Sequence, residues 1–390
     1  MPTTPLRNRL YSLILPLAAP SPRGQMHHAL HGRNLNSLAR YERILCRHHV
    51  LGASLMLTDG SDFAVVHTSI DRPSHHASAS TMYRVASITK MATALVTLIL
   101  CDEGAFSLDT PVHSLLPQSH SALSDITVRQ LLCHTSGLRD TPAYEQALRR
   151  GDVYLRVLDT PDVRASAPGA VMSYCNFGFG LLGCVMEHVT GICLEELFQQ
   201  KLFQPLHMRA TLNAAFLNTE DVMPISRVLP YRSGQDVVIP PLGQKPLNAP
   251  DPLRHFGHTA GSMYTDPKSL SRMMRLIADD GMIDGNRLLS SFLIHEMTTQ
   301  HAFTGPKEAP TRRYGLGLVL LNRPDVSSGL VLGHQGFAYG CVDGAFWEAA
   351  TGRQVIFLNG GASEARDGRL GLCNRDVLSW ALKEEIPSWT

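Results

Sequence analysis

The apolar and polar positions of this chain set strand-like ends around a helix-rich middle. Residues 36–48 have the pattern of a helix, with Asn36 or Ser37 as its N-cap. Two β-like runs follow, residues 50–57 and 63–69, joined by the turn-forming pair Asp59-Gly60. A largely helical stretch begins at Ser87 and extends to about Gln300; it includes a predicted helix over residues 88–102, stopped by Gly104, and a long, largely apolar segment over residues 177–189. Further β-like runs occupy residues 315–321, 329–333, 340–348 and 354–358, and a final helix is predicted over residues 374–384. This order predicts an α/β chain of the α+β kind: one antiparallel sheet formed from the N- and C-terminal segments and flanked by helices, with an inserted, mainly helical lobe over about residues 87–300. Residues 1–35 are then a tail and residues 36–390 one domain, with the active site expected at the seam between sheet and lobe.

Irregular stretches interrupt this pattern. Residues 224–252 carry Pro224, Pro230, Pro240, Pro241, Pro246, Pro250 and Pro252 and are expected to lack regular structure, as a loop that lines a binding site or a plain surface excursion. Residues 304–313 form a second candidate specificity loop. Near the N-terminus, Arg7 and Arg9 precede an apolar run over residues 10–19 that imitates a signal peptide, but Pro16, Pro20 and Pro22 spoil the match, so a disordered or packing tail is expected. No run reaches the roughly 18 apolar residues of a membrane span.

Composition narrows the partners. The chain has 390 residues, 44% of them hydrophobic, enough for a sizeable core, and its Lys and Arg (35) nearly balance its Asp and Glu (34). Such a balance predicts no affinity for nucleic acid or for an anionic membrane and leaves a small molecule or a peptide as the partner. The eight cysteines are scattered without a C-x-x-C, several in apolar helical segments, so free thiols and a cytoplasmic location are expected, with export through the signal-like segment as the alternative.

Candidate chemistry lies in three short motifs. Ser87-Ile88-Thr89-Lys90 puts a lysine at the head of an apolar helix, one turn from a serine on the same face. A buried ammonium needs a partner that uses its charge or its basicity, and the helix start gathers free N–H groups that favour negative charge on a nearby oxygen. The bland alternative is a serine N-cap followed by a lysine that reaches the surface. Tyr174-Cys175-Asn176 precedes the second apolar helix, where Asn176 is either a hydrogen-bonding group or simply an N-cap. His334-Gln335-Gly336 ends the strand-like run 329–333, where Gly336 lets a substrate approach the backbone closely.

Other motifs are weaker. Gly178-Phe179-Gly180-Leu181-Leu182-Gly183 lacks the preceding strand that a dinucleotide fingerprint needs, and its glycines are expected to allow close helix packing. His27, His28 and His31 have no acidic or cysteine ligand nearby and are assigned to a solvated tail; His295-Glu296 lacks a second zincin histidine; the second H-x-G, His255-Phe256-Gly257, follows a proline-rich rather than a strand-like stretch. There is no G-x-S-x-G.

The order S-x-x-K, Y-x-N, H-x-G resembles the serine penicillin-recognising enzymes, in particular the class C β-lactamase, DD-peptidase and esterase group. Residues 83–90, 126–138, 173–183 and 259–265 also look like blocks of that family, so the resemblance runs from about Asn36 to the C-terminus. It implies a serine hydrolase in which Ser87 forms an acyl-enzyme, Lys90 and Tyr174 share its activation, and Asn176 holds the substrate amide or the lysine. The oxyanion hole would be the backbone N–H groups of Ser87 and Phe337. No cofactor or metal is implied. The chain departs from its β-lactamase relatives at His334, where they carry the lysine of K-T-G. A histidine there is a conditional charge that would hold a substrate carboxylate less firmly, unless it is merely satisfied by backbone groups. The expected substrate is an ester or a D-amino-acid-containing peptide or amide, with weak β-lactam hydrolysis. The alternatives are a β-lactamase or penicillin-sensitive DD-carboxypeptidase, and a non-catalytic scaffold or sensor.

Overall fold

Two helices and a nine-stranded sheet from the chain ends build the frame that carries the motifs. The computed structural model describes residues 10, 13–15, 17, 26–70, 76–228, 245–305 and 312–385. Helix α1, Leu38–Arg47, starts at Ser37, whose hydroxyl accepts the Arg40 N–H at 3.2 Å. Strands β2 (Ala53–Thr58) and β3 (Phe63–Ser69) form the expected hairpin. At the far end of the chain, β7 (Val331–Ala338), β8 (Cys341–Glu348) and β9 (Gln354–Asn359) run antiparallel, and β9 pairs with β2 from Gln354↔Thr58 to Asn359↔Ala53. The two chain ends thus share one sheet, as expected from their patterning.

Burial on both faces explains the near-continuous apolar runs of the central strands. Leu55, Leu57, Val355 and Phe357 meet Tyr41 and Ile44 of α1 and Val377 and Trp380 of helix Leu372–Trp380 on one face, where Tyr41 stacks on Trp380 at 5.3 Å. The alternate residues Met56, Ile356 and Leu358 join the core of the helical lobe on the other face. At the centre of that lobe lies α2, Thr89–Asp102, in which every residue from Thr89 to Leu100 is buried. Helix α3, Asn176–Thr190, packs on it; the glycines expected to allow close helix packing instead admit a loop, for a Cβ at Gly180 would stand 1.8 Å from the Phe256 carbonyl oxygen and one at Gly183 2.8 Å from Thr259 Oγ1.

Several expectations change. Residues 27–32 are not tail: β1, His27–Gly32, pairs along the whole of β3, and His28 Nδ1 lies 3.0 Å from Thr68 Oγ1, so the histidines are on an edge strand. The sheet order is β1-β3-β2-β9-β8-β7-β6-β5-β4, where β4 is Ala302–Thr304, β5 is Arg312–Tyr314 and β6 is Val319–Leu321. The run expected over 315–321 is therefore a turn and a short strand, bent at Gly317, which has φ +73°. Strand β7 does not end at the H-x-G but carries it in mid-strand. Much of the proline-rich stretch (229–244), of the 304–313 loop (306–311) and of the signal-like run lies outside the described residues. Among the described residues no single helix is long and apolar enough to cross a membrane, and the eight cysteines are free thiols.

Candidate active site

The sheet and the lobe meet at Ser87. The chain leaves the short strand Tyr83–Arg84, makes a tight turn over Ala86–Ile88 and enters α2. Ala86 has φ +45°, a left-handed conformation that costs a non-glycine residue about 1–3 kcal/mol. Thr89 Oγ1 donates to the Ala86 carbonyl at 2.6 Å and accepts the Met263 N–H at 3.1 Å, and the Val85 N–H donates to Met263 O at 3.0 Å. The strained residue is thus pinned on both sides, and it sets the direction in which the next side chain, Ser87, leaves the backbone.

Lys90 is fully buried, and its ammonium has three acceptors: Ser87 Oγ at 3.3 Å, Asn176 Oδ1 at 2.8 Å and the Ala260 carbonyl at 2.6 Å. Three acceptors match the three protons of the group. The rings of Tyr174 and Phe179 cover it, with centroids 4.9 and 5.5 Å from Nζ. This is the buried, partnered lysine that the sequence calls for, and the surface-seeking alternative does not apply.

Asn176 is the first residue of α3, not its cap; Cys175 occupies the cap position, its Sγ 3.4 Å from the Gly178 N–H. The Asp140 carboxylate accepts the backbone N–H of Asn176 (3.0 Å) and of Phe177 (2.9 Å) at the positive end of the helix, together with Asn176 Nδ2 at 2.8 Å. That last bond fixes the amide so that Oδ1 turns to Lys90. Tyr174, half-buried, lies against the His134 ring at 4.3 Å, and the Arg312 guanidinium sits 5.0 Å from its centroid.

His334 differs from the expectation. It is 2% exposed; its Nδ1 donates to the Gln335 carbonyl at 2.7 Å, which leaves Nε2 to accept the Tyr314 hydroxyl at 2.8 Å. Burial first, then Lys90 nearby, push its pKa well below the usual imidazole value, so it is neutral. Both nitrogens are engaged and no charge remains for a substrate carboxylate. The cation at that side of the site is Arg312, which stacks on Tyr174 and Tyr314 and meets no carboxylate among the described residues.

Gly336 brings β7 against the turn that carries Ser87: a Cβ there would lie 2.4 Å from Val85 O. Phe337 faces Val342 across the ladder, and Val342 turns its N–H and C=O to the Asn359 side chain at 3.3 and 2.8 Å. In an antiparallel pair of this type both residues direct their backbone groups outward, so the Phe337 N–H points away from β8, past the end of β6 and toward the Ser87 side. The Phe337 ring itself is covered by Arg366, 3.8 Å from its centroid.

All the motif residues thus converge on one seam, His334 as a buried support. Asp140, His134, Ala260, Arg312 and Tyr314 were not singled out by sequence; the first sits just past, and the next two inside, blocks quoted above for the resemblance. His255, of the second H-x-G, pairs with the buried Glu187 at 2.8 Å and ties a loop to α3. Among the described residues no group of three His, Cys, Asp or Glu side chains could hold a metal ion.

The Beta-lactamase family model matches residues 30–358. The chain belongs to this family. Its members include serine hydrolases that act by acyl transfer. Penicillin-binding protein 4 of Amycolatopsis lactamdurans is 29% identical over 265 residues, covering 65% of this chain and 66% of that relative. Esterase EstB of Burkholderia gladioli is 29% identical over 342 residues, 76% of this chain and 82% of the esterase. Among solved structures, a D-stereospecific amidohydrolase from Streptomyces sp. superposes with a TM-score of 0.66 at 26% identity, covering 88% of this chain and 98% of its own.

Proposed function

We propose that the protein hydrolyses an ester, or an amide or peptide bond next to a D-residue, through an acyl-enzyme on Ser87. The observation that carries this reading is the fully buried Lys90 ammonium donating to Ser87 Oγ at 3.3 Å. Ser87 Oγ attacks the substrate carbonyl and gives up its proton. The carbonyl oxygen becomes negative between the N–H groups of Ser87 and Phe337. Collapse expels the alcohol or amine, which takes up a proton, and water then releases the acid. Asn176 Oδ1 and the Ala260 carbonyl each accept an N–H from Lys90, which holds its Nζ against Ser87 Oγ. In this reading Lys90 acts as a positive charge beside Ser87 that favours the Tyr174 phenolate, and that phenolate takes the Ser87 proton and becomes the phenol that later protonates the leaving group. The esterase and the D-stereospecific amidohydrolase among the relatives supply the two substrate classes. A substrate carboxylate would be met by Arg312, since His334 is neutral, and β-lactams are expected to be slow substrates.

The test is pre-steady-state release of nitrophenol from a short-chain p-nitrophenyl ester, with Ser87→Ala alongside. A burst or turnover that vanishes in the variant supports the acyl-enzyme; equal release from both proteins removes Ser87 from the chemistry.

A further inference from the structure

Tyr174 is held from three directions by a single residue. The backbone carbonyl of His134 accepts the Ser173 N–H at 2.8 Å, its Nδ1 accepts the Cys175 N–H at 3.2 Å, and its ring lies 4.3 Å from the Tyr174 ring, tilted by 37°. The two amides flank Tyr174, so both ends of its backbone are tied to His134 while its side chain rests on the imidazole.

His134 is itself immobile. It is 1% exposed, sits between Phe179 (5.0 Å) and Tyr314 (4.7 Å), and donates its own N–H to Leu131 O at 3.3 Å. Its φ of +60° is a conformation histidine tolerates better than most residues. Burial first, then the charge of Lys90, keep the imidazole neutral, so Nδ1 retains the lone pair that Cys175 uses. A ring serving only to fill the core needs no nitrogen acceptor, and an apolar side chain would avoid the Nε2–H that is buried here without a partner.

We propose that His134 is the positioning residue that sets the Tyr174 hydroxyl relative to Ser87. This rests on the reading above in which Tyr174 takes the Ser87 proton. His134 touches no reacting atom; it acts through Tyr174 alone.

The experiment uses the full chain and a p-nitrophenyl ester, in the wild-type and the Tyr174→Phe backgrounds. His134→Gly keeps the left-handed backbone and removes both acceptor and ring; His134→Asn also accepts that backbone and puts Oδ1 where Nδ1 was. The expected result is a loss in kcat of about tenfold or more for His134→Gly with KM changed by less than about twofold, and recovery of most of it in His134→Asn. On Tyr174→Phe neither substitution lowers kcat further. Equal losses in both backgrounds, or full kcat in His134→Gly while Tyr174→Phe is impaired, overturn the positioning role and leave the Tyr174 assignment standing. A Tyr174→Phe enzyme as fast as the wild type removes both. Where His134→Gly fails to fold, the pH profile of kcat/KM in His134→Asn decides: loss of the ring contact shifts the limb set by Tyr174, and an unmoved limb counts against the proposal.

Discussion

Gly336→Ala probes the contact between β7 and the turn that presents Ser87. The new Cβ would lie 2.4 Å from the Val85 carbonyl oxygen and 3.2 Å from the Asp343 Cβ, so the first contact falls about 1 Å short of ordinary packing distance. Val85 O cannot simply retreat, because it accepts the Ile88 N–H at 3.1 Å and closes the turn that carries the serine. The strand must back away, or the turn must shift; either movement separates the Phe337 N–H from the oxygen it is to stabilise. A displacement of about 1 Å at a reacting centre costs about 100-fold, and loss of one oxyanion donor costs about 100- to 1,000-fold, so kcat should fall by about 100-fold with KM changed little. Overpacking of this size also removes about 1–3 kcal/mol of stability, which leaves a foldable protein. Steady-state hydrolysis of a p-nitrophenyl ester and a thermal melt measure the two effects. A kcat within about threefold of the wild type, in a protein that melts normally, would refute the idea that this contact sets the oxyanion geometry.

Two further substitutions test the electrostatics around this contact. Asp343 lies opposite Gly336 in the β7–β8 ladder, fully buried, and burial holds its carboxyl well above the usual range. The folded protein therefore keeps a proton that the unfolded chain releases near pH 3.9, and the stability present below that value is lost as pH rises through the folded pKa. Asp343→Asn retains an oxygen for the Asn359 N–H (2.8 Å in the wild type), so its urea midpoint should gain on the wild type as pH rises above about 3.9. A difference that stays constant with pH contradicts the assignment. For Arg312→Ala, kcat/KM on a p-nitrophenyl hemiester bearing a free carboxylate should drop at least about tenfold more than on the neutral acetate, the value of a charge-assisted hydrogen bond. Equal losses on both esters would mean that Arg312 supports only the Tyr174 and Tyr314 rings.

Local pattern reveals much of this fold, and its failures share a cause. The Ser37 cap, the β2–β3 hairpin, α2 and the strands β8 and β9 follow from residues adjacent in the chain. Strand β1 escapes because His27–Gly32 has no apolar run: only alternate residues are half-buried, and its order comes from the ladder to β3. The His334 ring is neutral because it is buried beside Lys90, and its Nε2 is met by Tyr314, two strands away in the sheet; no local feature of His-Gln-Gly announces these neighbours. Asp140 stands 36 residues before the asparagine it orients. The three motifs mark the side chains that meet at the seam; the groups that orient them arrive from remote segments by packing.

Lys90 shows what that arrangement accomplishes. Its acceptors come from the turn before α2 (Ser87), from the start of α3 (Asn176) and from the loop at Ala260, 170 residues away. A fully desolvated ammonium is unfavourable by several kcal/mol unless its protons are matched, so each of these segments is held in place by the same charge. Removing the charge would not simply relieve the burial, because Asn176 Oδ1 and the Ala260 carbonyl would lose their donor. The lysine is therefore bound to the seam between sheet and lobe, and its contact with Ser87 depends on the docking of the lobe, which brings Asn176 and Ala260 to it.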